Sequence, residues 1–276
     1  MALVINHNMS SINAQRNLAA TGRALSSSFE KVSSGLRINK AADDAAGLGV
    51  AENLEAQSRS AKVAMRNTND GISVVQTAES ATTEVSNIIK RMRELAVQSS
   101  SETLASTERG YIQDEFAELS AEVDRIAAVT EFNGIKLTNG SNTTGVAVQV
   151  GVNNSSNDRI SITLGDLRAT ALGVDTTAMS LNSVASARTA ITALDTGLDA
   201  VNSIRSSYGA TQNRLSDALS NMEVYSENLT AAESQIRDLD FASETANMAK
   251  QQIMQQAGMS VLAQTSSAQQ GVLSLI

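Results

Sequence analysis

The apolar residues of the chain follow the spacing of helices that pack against other helices. Near the N-terminus the intervals alternate between four and three residues, which is a heptad pattern. Its positions are Leu18, Gly22, Leu25, Phe29, Val32 and Leu36. The sequence SSG at residues 33–35 predicts the end of this helix. The same alternation recurs over residues 74–95, inside a second, long helix that we predict over residues 43–99.

A third helix and a small β region follow in the pattern. Residues 106–129 carry an apolar helical face, formed by Ile112, Phe116, Leu119, Val123 and Ile126. The period then changes to two at residues 146–150 and again at residues 160–164, which is typical of strands. The two Asn-Gly pairs, at residues 133–134 and 139–140, both indicate hairpin turns. Residues 131–165 are therefore predicted to form a β-hairpin region.

Helical spacing returns at Val184 and continues to Leu239, and a last helix is predicted from Phe241 to about residue 264. Both ends of the chain have heptad character, so they would lie side by side if the chain doubles back at the β region. We expect a mainly α fold: an elongated helical rod of long antiparallel, coiled-coil-like helices with a small β-hairpin region.

Composition supports long helices and an assembly. The chain of 276 residues has no Cys, Pro or Trp, and an interior proline is the residue that most strongly breaks a helix. Residues 1–15 and 251–276 contain no charged side chain although both are partly apolar. They are either disordered tails or, as we prefer, segments that are buried between subunits. The net charge of −8 argues against a nucleic-acid partner. No apolar run is long enough to span a membrane, and none resembles a signal-peptide core.

The stretch at residues 33–52, SSGLRINKAADDAAGLGVAE, lies between the first two predicted helices. A phosphate-binding loop is disfavoured, because position 52 is Glu where the glycine fingerprint needs Gly. Adjacent helical residues point about 100° apart, so Asp43 and Asp44 are a poor acid–base or metal pair. We interpret the stretch as a joint between domains, built on Gly35, Asp43, Asp44 and Gly47. With one histidine and no cysteine, we expect no catalytic or metal site, no cofactor and no enzymatic activity.

Several long motifs in this order resemble the bacterial flagellins. They are MALVINHNMSSINAQRNL at the start, the joint stretch itself, RNTNDGISVVQTAESA at residues 66–81, KRMRELAVQS at residues 90–99, EFNGIKL at residues 131–137, and MQQAGMSVLAQ near the end. The resemblance covers nearly the whole chain and implies a short form without the variable outer domains. The chain departs from the family pattern at Ala268, near which flagellins commonly have a proline, and in its last residues.

The resemblance implies a structural subunit that polymerises into the helical flagellar filament for swimming. The alternatives are a hook–filament junction protein and, from another class, a secreted coiled-coil binding protein. In a flagellin, residues 1–42 and 237–276 would form the inner tube and residues 43–236 the outer rod domain. The inner-tube contacts would come from Leu18, Leu25, Phe29, Val32, Leu36, Ile253, Val261, Leu262, Val272 and Leu273.

The resemblance also implies partners and a location. Besides copies of itself, the chain would meet the type III export apparatus, the filament cap and junction proteins, and an export chaperone over the C-terminal segment, residues 229–276. An immune receptor, Toll-like receptor 5, would contact Arg91, Leu95 and Glu115. The protein would be extracellular, in the filament, after export without a cleaved signal peptide.

Overall fold

The computed structural model of the chain is mainly α-helical. It describes residues 8–142, 144–176 and 179–273, with side chains as far as residue 267. The described residues form six α-helices: α1 (Met9–Ser34), α2 (Ala45–Ser99), α3 (Ser106–Val129), α4 (Ala169–Leu172), α5 (Val184–Arg237) and α6 (Phe241–Leu273). Long helices and a small β region confirm the predicted fold class. Helix α4 was not predicted, and α6 extends beyond the expected residue 264.

The chain divides into two compact units. Unit 1 comprises Met1–Ser58 and Asn228–Ile276, and unit 2 comprises Arg59–Glu227. Helix α1 and helix α6 lie in unit 1, whereas α2 and α5 contribute residues to both units. The two divisions of the chain that the sequence suggested, at residues 42–43 and 236–237, stay a prediction.

Two buried hydroxyl groups of the long helix α2 bond to carbonyl oxygens within the helix itself. The side chain of Thr68 donates to the carbonyl oxygen of Ala64 at 2.8 Å, and that of Thr82 donates to Ala78 at 2.7 Å. A satisfied buried hydroxyl avoids most of the cost of leaving water. Together with the absence of proline, this permits a helix of 55 residues.

The core of unit 2 is formed by the predicted apolar faces. One cluster joins the C-terminal half of α2 to α3, α4 and α5, and it includes Met92, Phe116 and Leu194. A second cluster joins the middle of α2 to the β region around Tyr208. The Tyr208 hydroxyl accepts a hydrogen bond from the N–H of Gly165 at 3.0 Å, and burial raises the pKa of this phenol.

The β region consists of two antiparallel pairs. Strands β1 (Glu131–Phe132) and β2 (Ile135–Lys136) form a tight hairpin, and β3 (Val146–Gln149) pairs with β4 (Arg159–Ile162). Asn133 and Gly134 both have positive φ, 49° and 78°, which is what a two-residue hairpin turn of the primed type requires. The first predicted hairpin is therefore confirmed.

The second Asn-Gly pair does not form a hairpin, so that prediction was wrong. Gly140 does have a positive φ of 71°, but residues 139–140 fall in an irregular connection between β2 and β3. A side chain at Gly140 would meet the carboxylate of Asp166, which belongs to the segment before α4. The local signal for a turn was right, and the long-range packing of this loop decided its form.

Candidate functional site: the terminal helix pair and its joint

Helices α1 and α6 pack against each other in unit 1. They run antiparallel, because Leu18 lies beside Gly258 while Leu36 pairs with Asp238. Leu18, Leu25, Val32, Leu36 and Leu262 of the predicted contact set are all half-buried. Among them, Leu18 contacts α6 at Gly258.

Other members of the predicted set point away from this contact. Phe29 is 65 % exposed, and Ser28, 8 % exposed, takes the inward position instead. The inward side of α1 therefore continues through residues 25, 28 and 32. The inner-tube contact of Phe29 with other copies stays a prediction. Phe29 lies about 100° further round the helix than Ser28. On α6, Ile253 and Val261 are exposed as well, and the side chains of Val272 and Leu273 lie outside the described residues.

The joint contains a glycine that ends α1. Gly35 has a φ of 73° and its N–H donates to the carbonyl of Lys31 at 2.9 Å, which is a left-handed helix cap. The following residues bond to the chain between α5 and α6. The N–H of Arg37 donates to the carbonyl of Arg237 at 2.7 Å, and that of Leu239 donates to Gly35 at 3.0 Å. The joint is thus made of two segments, of which the sequence revealed one.

The two adjacent aspartates of the joint hold backbone groups. Asp43 accepts from the N–H groups of Lys40 at 3.0 Å and Asn39 at 3.2 Å, and these bonds lower the pKa of its carboxyl. Asp44 accepts from the N–H of Gly47 at 2.9 Å, as an N-cap of α2 does. We expected both in the first turn of the helix, but they precede it, because both side chains bond to backbone N–H groups near the helix start.

Gly47 is required by the packing of the joint. A Cβ at this position would lie 2.5 Å from a carboxylate oxygen of Asp44 and 2.8 Å from Ile38 Cδ1. Ile38 is buried, and no pattern in the sequence had singled it out. The absence of a side chain at Gly47 therefore leaves room for both Asp44 and Ile38.

An arginine that sequence reasoning missed closes the other segment of the joint. The guanidinium of Arg237 lies 3.1 Å from Glu55, 3.8 Å from Glu233 and 3.9 Å from Glu52. Arg237 is only 18 % exposed at its side chain, so these pairs are less screened by water than surface pairs. The signal in the sequence was the basic residue in the last turn of α5, four residues after a glutamate.

Two family models match most of the chain. The model of the bacterial flagellin N-terminal helical region matches residues 5–143, and that of the C-terminal helical region matches residues 191–276. The chain belongs to the flagellin family. Residues 144–190 alone lie between the two matches, so this flagellin is a short form without a variable domain.

The sequence of the chain matches those of curated relatives over nearly their full length. The chain is 44 % identical to the flagellin of Halalkalibacterium halodurans, over 99 % of this chain and 100 % of the relative. It is 40 % identical to the flagellar filament 33 kDa core protein of Treponema phagedenis, with the same coverage, and 39 % identical to the flagellin of Bacillus subtilis, over 99 % of each chain. A crystal structure of Bacillus cereus flagellin, 33 % identical, aligns with a TM-score of 0.49 over 57 % of this chain and 88 % of that one.

Membership of this family makes the chain a structural filament subunit and not an enzyme. The comparisons give no support to a junction protein or a secreted coiled-coil binding protein. Within the part of the chain that the structure describes, no cluster of His, Asp or Glu could hold a metal ion. None of the described helices is long and apolar enough to cross a membrane.

Two of the three residues predicted to contact a receptor, Arg91 and Glu115, are exposed in this flagellin. Arg91 pairs with Glu115 at 2.8 Å and with Glu94 at 2.9 Å, and these hydrogen bonds raise the pKa of the guanidinium. Leu95, however, is 1 % exposed and belongs to the core of unit 2. Leu95 is therefore not part of the exposed surface of a single copy, and a receptor contact at this residue stays a prediction.

Proposed function

We propose that this flagellin polymerises through helices α1 and α6, which form the lining of the inner tube of the filament. One observation carries the proposal: large apolar side chains on both helices are exposed in a single copy of the chain. They are Met9, Ile12, Phe29, Phe241, Ile253, Met254, Met259 and Val261. Exposed apolar groups at this density mark surfaces that another protein covers.

The energetics favour covering these side chains by further copies. Burying one such side chain contributes about 1.5–3 kcal/mol, so several of them offset the entropy lost on association. Residues 251–273 carry no charge that would have to leave water in a packed tube. Apolar side chains occur both on the α1-facing side of α6 and away from it, as expected of a helix with neighbours on several sides.

The joint is proposed to link this inner tube to the outer domain. Residues 35–47 and 236–240 are the two segments through which the chain leaves α1 and enters α6, and they are bonded to each other. Gly35, Asp43, Asp44 and Gly47 keep the role expected for them, with Arg237 added. The contacts between copies are heterologous, since α1 and α6 present different surfaces, and a heterologous contact that does not close produces an open helix.

The other partners are proposed by likeness to the family. The export chaperone would cover the exposed apolar residues of α6, within residues 229–276, before assembly. The type III export apparatus, the filament cap and junction proteins would meet the chain during export and growth, without a cleaved signal peptide. Toll-like receptor 5 would meet the exposed pair Arg91 and Glu115. The extracellular filament is where flagellins of this family are found.

Electron microscopy of the purified full-length protein tests the polymerisation. With filament fragments as seeds, we expect long uniform tubes. A variant with Ile253→Ser and Val261→Ser should remain helical and fail to elongate the seeds. The matched control is Val224→Ser, which removes an equally exposed apolar side chain from unit 2. Tubes formed equally well by the α6 variant would exclude α6 as the assembly surface.

A further inference from the structure

A preformed cavity of about 450 Å³ lies in unit 2 between α2 and the loop that joins β3 to β4. Its α2 wall includes Val63, Ala64 and Asn67, which lie on one face of the helix. Hydrogen bonds from the end of β3 fix part of this loop. The Gln149 side chain donates to the carbonyls of Gly151 at 3.0 Å and of Asn153 at 2.8 Å.

Two exposed basic residues stand beside this cavity. Lys62 and Arg66 each precede a lining residue, Val63 and Asn67, and both are exposed. Within the described parts of the chain, neither has a carboxylate within ion-pair distance. Like charges four residues apart on a helix repel each other, so a single copy gains nothing from this pair.

Helix α3 presents a stripe of opposite charge with an aromatic residue at its end. Tyr111 is 71 % exposed, and Asp114 and Glu118 follow it at the spacing of one helix face. These two carboxylates are four residues apart, like the basic pair, and neither belongs to an ion pair among the described residues. Among the described residues, the tyrosine is thus largely exposed and the two carboxylates form no ion pair within one copy.

We propose that Tyr111 of one copy occupies the cavity beside Val63 of a second copy, with Asp114 and Glu118 facing Lys62 and Arg66. Both charge pairs have the same spacing, about 5–6 Å between Cβ atoms, so two helices can align them. A tyrosine fits a cavity with apolar walls and amide groups, because its ring is apolar and its hydroxyl bonds to polar groups.

The two surfaces belong to different elements of the same unit, which makes the contact heterologous. Such a contact repeats from copy to copy and builds an open filament when its rotation does not close. The inference rests on the proposed function and deepens it, since it assigns to unit 2 a contact that the α1–α6 pair does not provide. Charge complementarity would select the register, and the tyrosine would anchor it.

Disulfide crosslinking tests the geometry directly, because the chain has no cysteine of its own. Single variants Val63→Cys and Tyr111→Cys are each mixed at about one part in ten with unmodified protein, alone or together, and polymerised on seeds. We expect crosslinked dimers after mild oxidation only when both variants are present in filaments. Filaments that contain both variants without such dimers would overturn the contact. If the unmodified protein forms no filaments, the proposed function fails, and this contact fails with it.

Charge reversal tests the energetics. Lys62→Glu with Arg66→Glu, and separately Asp114→Lys with Glu118→Lys, should each raise the critical concentration at least about tenfold. The fourfold variant restores the net charge of −8 and should return to within about threefold of the unmodified chain.

The matched control for the acidic stripe is Glu223→Lys with Glu227→Lys, an exposed acidic pair four residues apart on α5, which changes the charge as Asp114→Lys with Glu118→Lys does. It should assemble normally. Equal loss in this control, or no recovery in the fourfold variant, would show that the surfaces do not meet.

Discussion

The main-chain N–H of Arg37 donates to the carbonyl oxygen of Arg237 at 2.7 Å, and this bond joins the two segments of the joint. The guanidinium of Arg37 donates to the neighbouring carbonyl of Ile236 at 2.5 Å. Two residues that are far apart in the sequence thus bring together the end of α1 and the start of α6. The pairing of the terminal helices begins at this point.

Removing the charge of Arg237 should loosen the joint. In Arg237→Gln, the carboxylate of Glu55 loses its ion pair with Arg237 while it stays half-buried, and we expect the free energy of unfolding to fall by about 1–3 kcal/mol. Hydrogen exchange at the amides of Arg37 and Leu239 measures this, because both bond across the joint.

The control for that substitution is Arg93→Gln. Arg93 pairs with Asp195 at 2.6 Å, but both side chains are about half exposed, so the expected loss is below about 1 kcal/mol. If both variants lose the same free energy of unfolding, the partial burial of Arg237 does not strengthen its ion pairs. Unchanged exchange at Arg37 would contradict the role of Arg237 in holding the joint.

Replacing Gly47 should disturb the start of α2. In Gly47→Val the new side chain would meet Asp44 and Ile38, and we expect unit 1 to lose about 1–3 kcal/mol. The crowding makes this a stability cost within a single copy of the chain. Chemical denaturation, followed by circular dichroism and by exchange at the Gly47 amide, measures the effect.

Gly49 gives the matched comparison, since it lies on the same helix with open space around its Cα. Gly49→Ala should be neutral or stabilise the helix by up to about 1 kcal/mol, because alanine has the higher helix propensity. A loss at position 49 as large as the loss at position 47 would mean that glycine is needed there for some reason other than crowding.

Features that depend on neighbouring residues in the sequence could be predicted, whereas features that depend on long-range packing could not. The heptad spacing of α1 and the glycine that ends this helix are local signals. The structure confirms the glycine, whereas Ser28 takes the inward position that the spacing gave to Phe29. The exchange of Phe29 for Ser28 was not predictable, because a shift of one residue in a seam depends on where α6 lies. Helix α4 was missed because four residues are too few to show a period, and its N-terminal amide is held by Asp124 of α3.

Acid should weaken the turn before α2. The folded state lowers the pKa of Asp43 below its ordinary value of 3.8, so its contribution to stability is present above about pH 4. It is lost as the pH falls through the lower, folded-state pKa, when the carboxyl takes up a proton. Carbon NMR of the Asp43 carboxyl should show a midpoint below 3.8.

The variant Asp43→Asn separates this titration from general acid unfolding. An amide oxygen still accepts hydrogen bonds from Asn39 and Lys40 but cannot titrate. Protection of the Lys40 amide should therefore depend less on pH in the variant than in the unmodified chain. A midpoint at or above 3.8 would show that the two backbone bonds do not act on the carboxylate.

Phe29 separates assembly from folding most sharply. It is exposed in one copy, so Phe29→Ala should change the free energy of unfolding by less than about 0.5 kcal/mol. In the filament it would be buried, and losing about 1.5–3 kcal/mol per copy raises the critical concentration roughly ten- to a hundredfold. Leu25→Ala is the counterpart: it shortens a half-buried side chain of α1 and should lower the stability of unit 1. Sedimentation of polymer at increasing protein concentration gives the first quantity, and thermal unfolding of the monomer gives the second. A Phe29→Ala protein with unchanged critical concentration would remove this side of α1 from the assembly surface, even if α6 remains part of it.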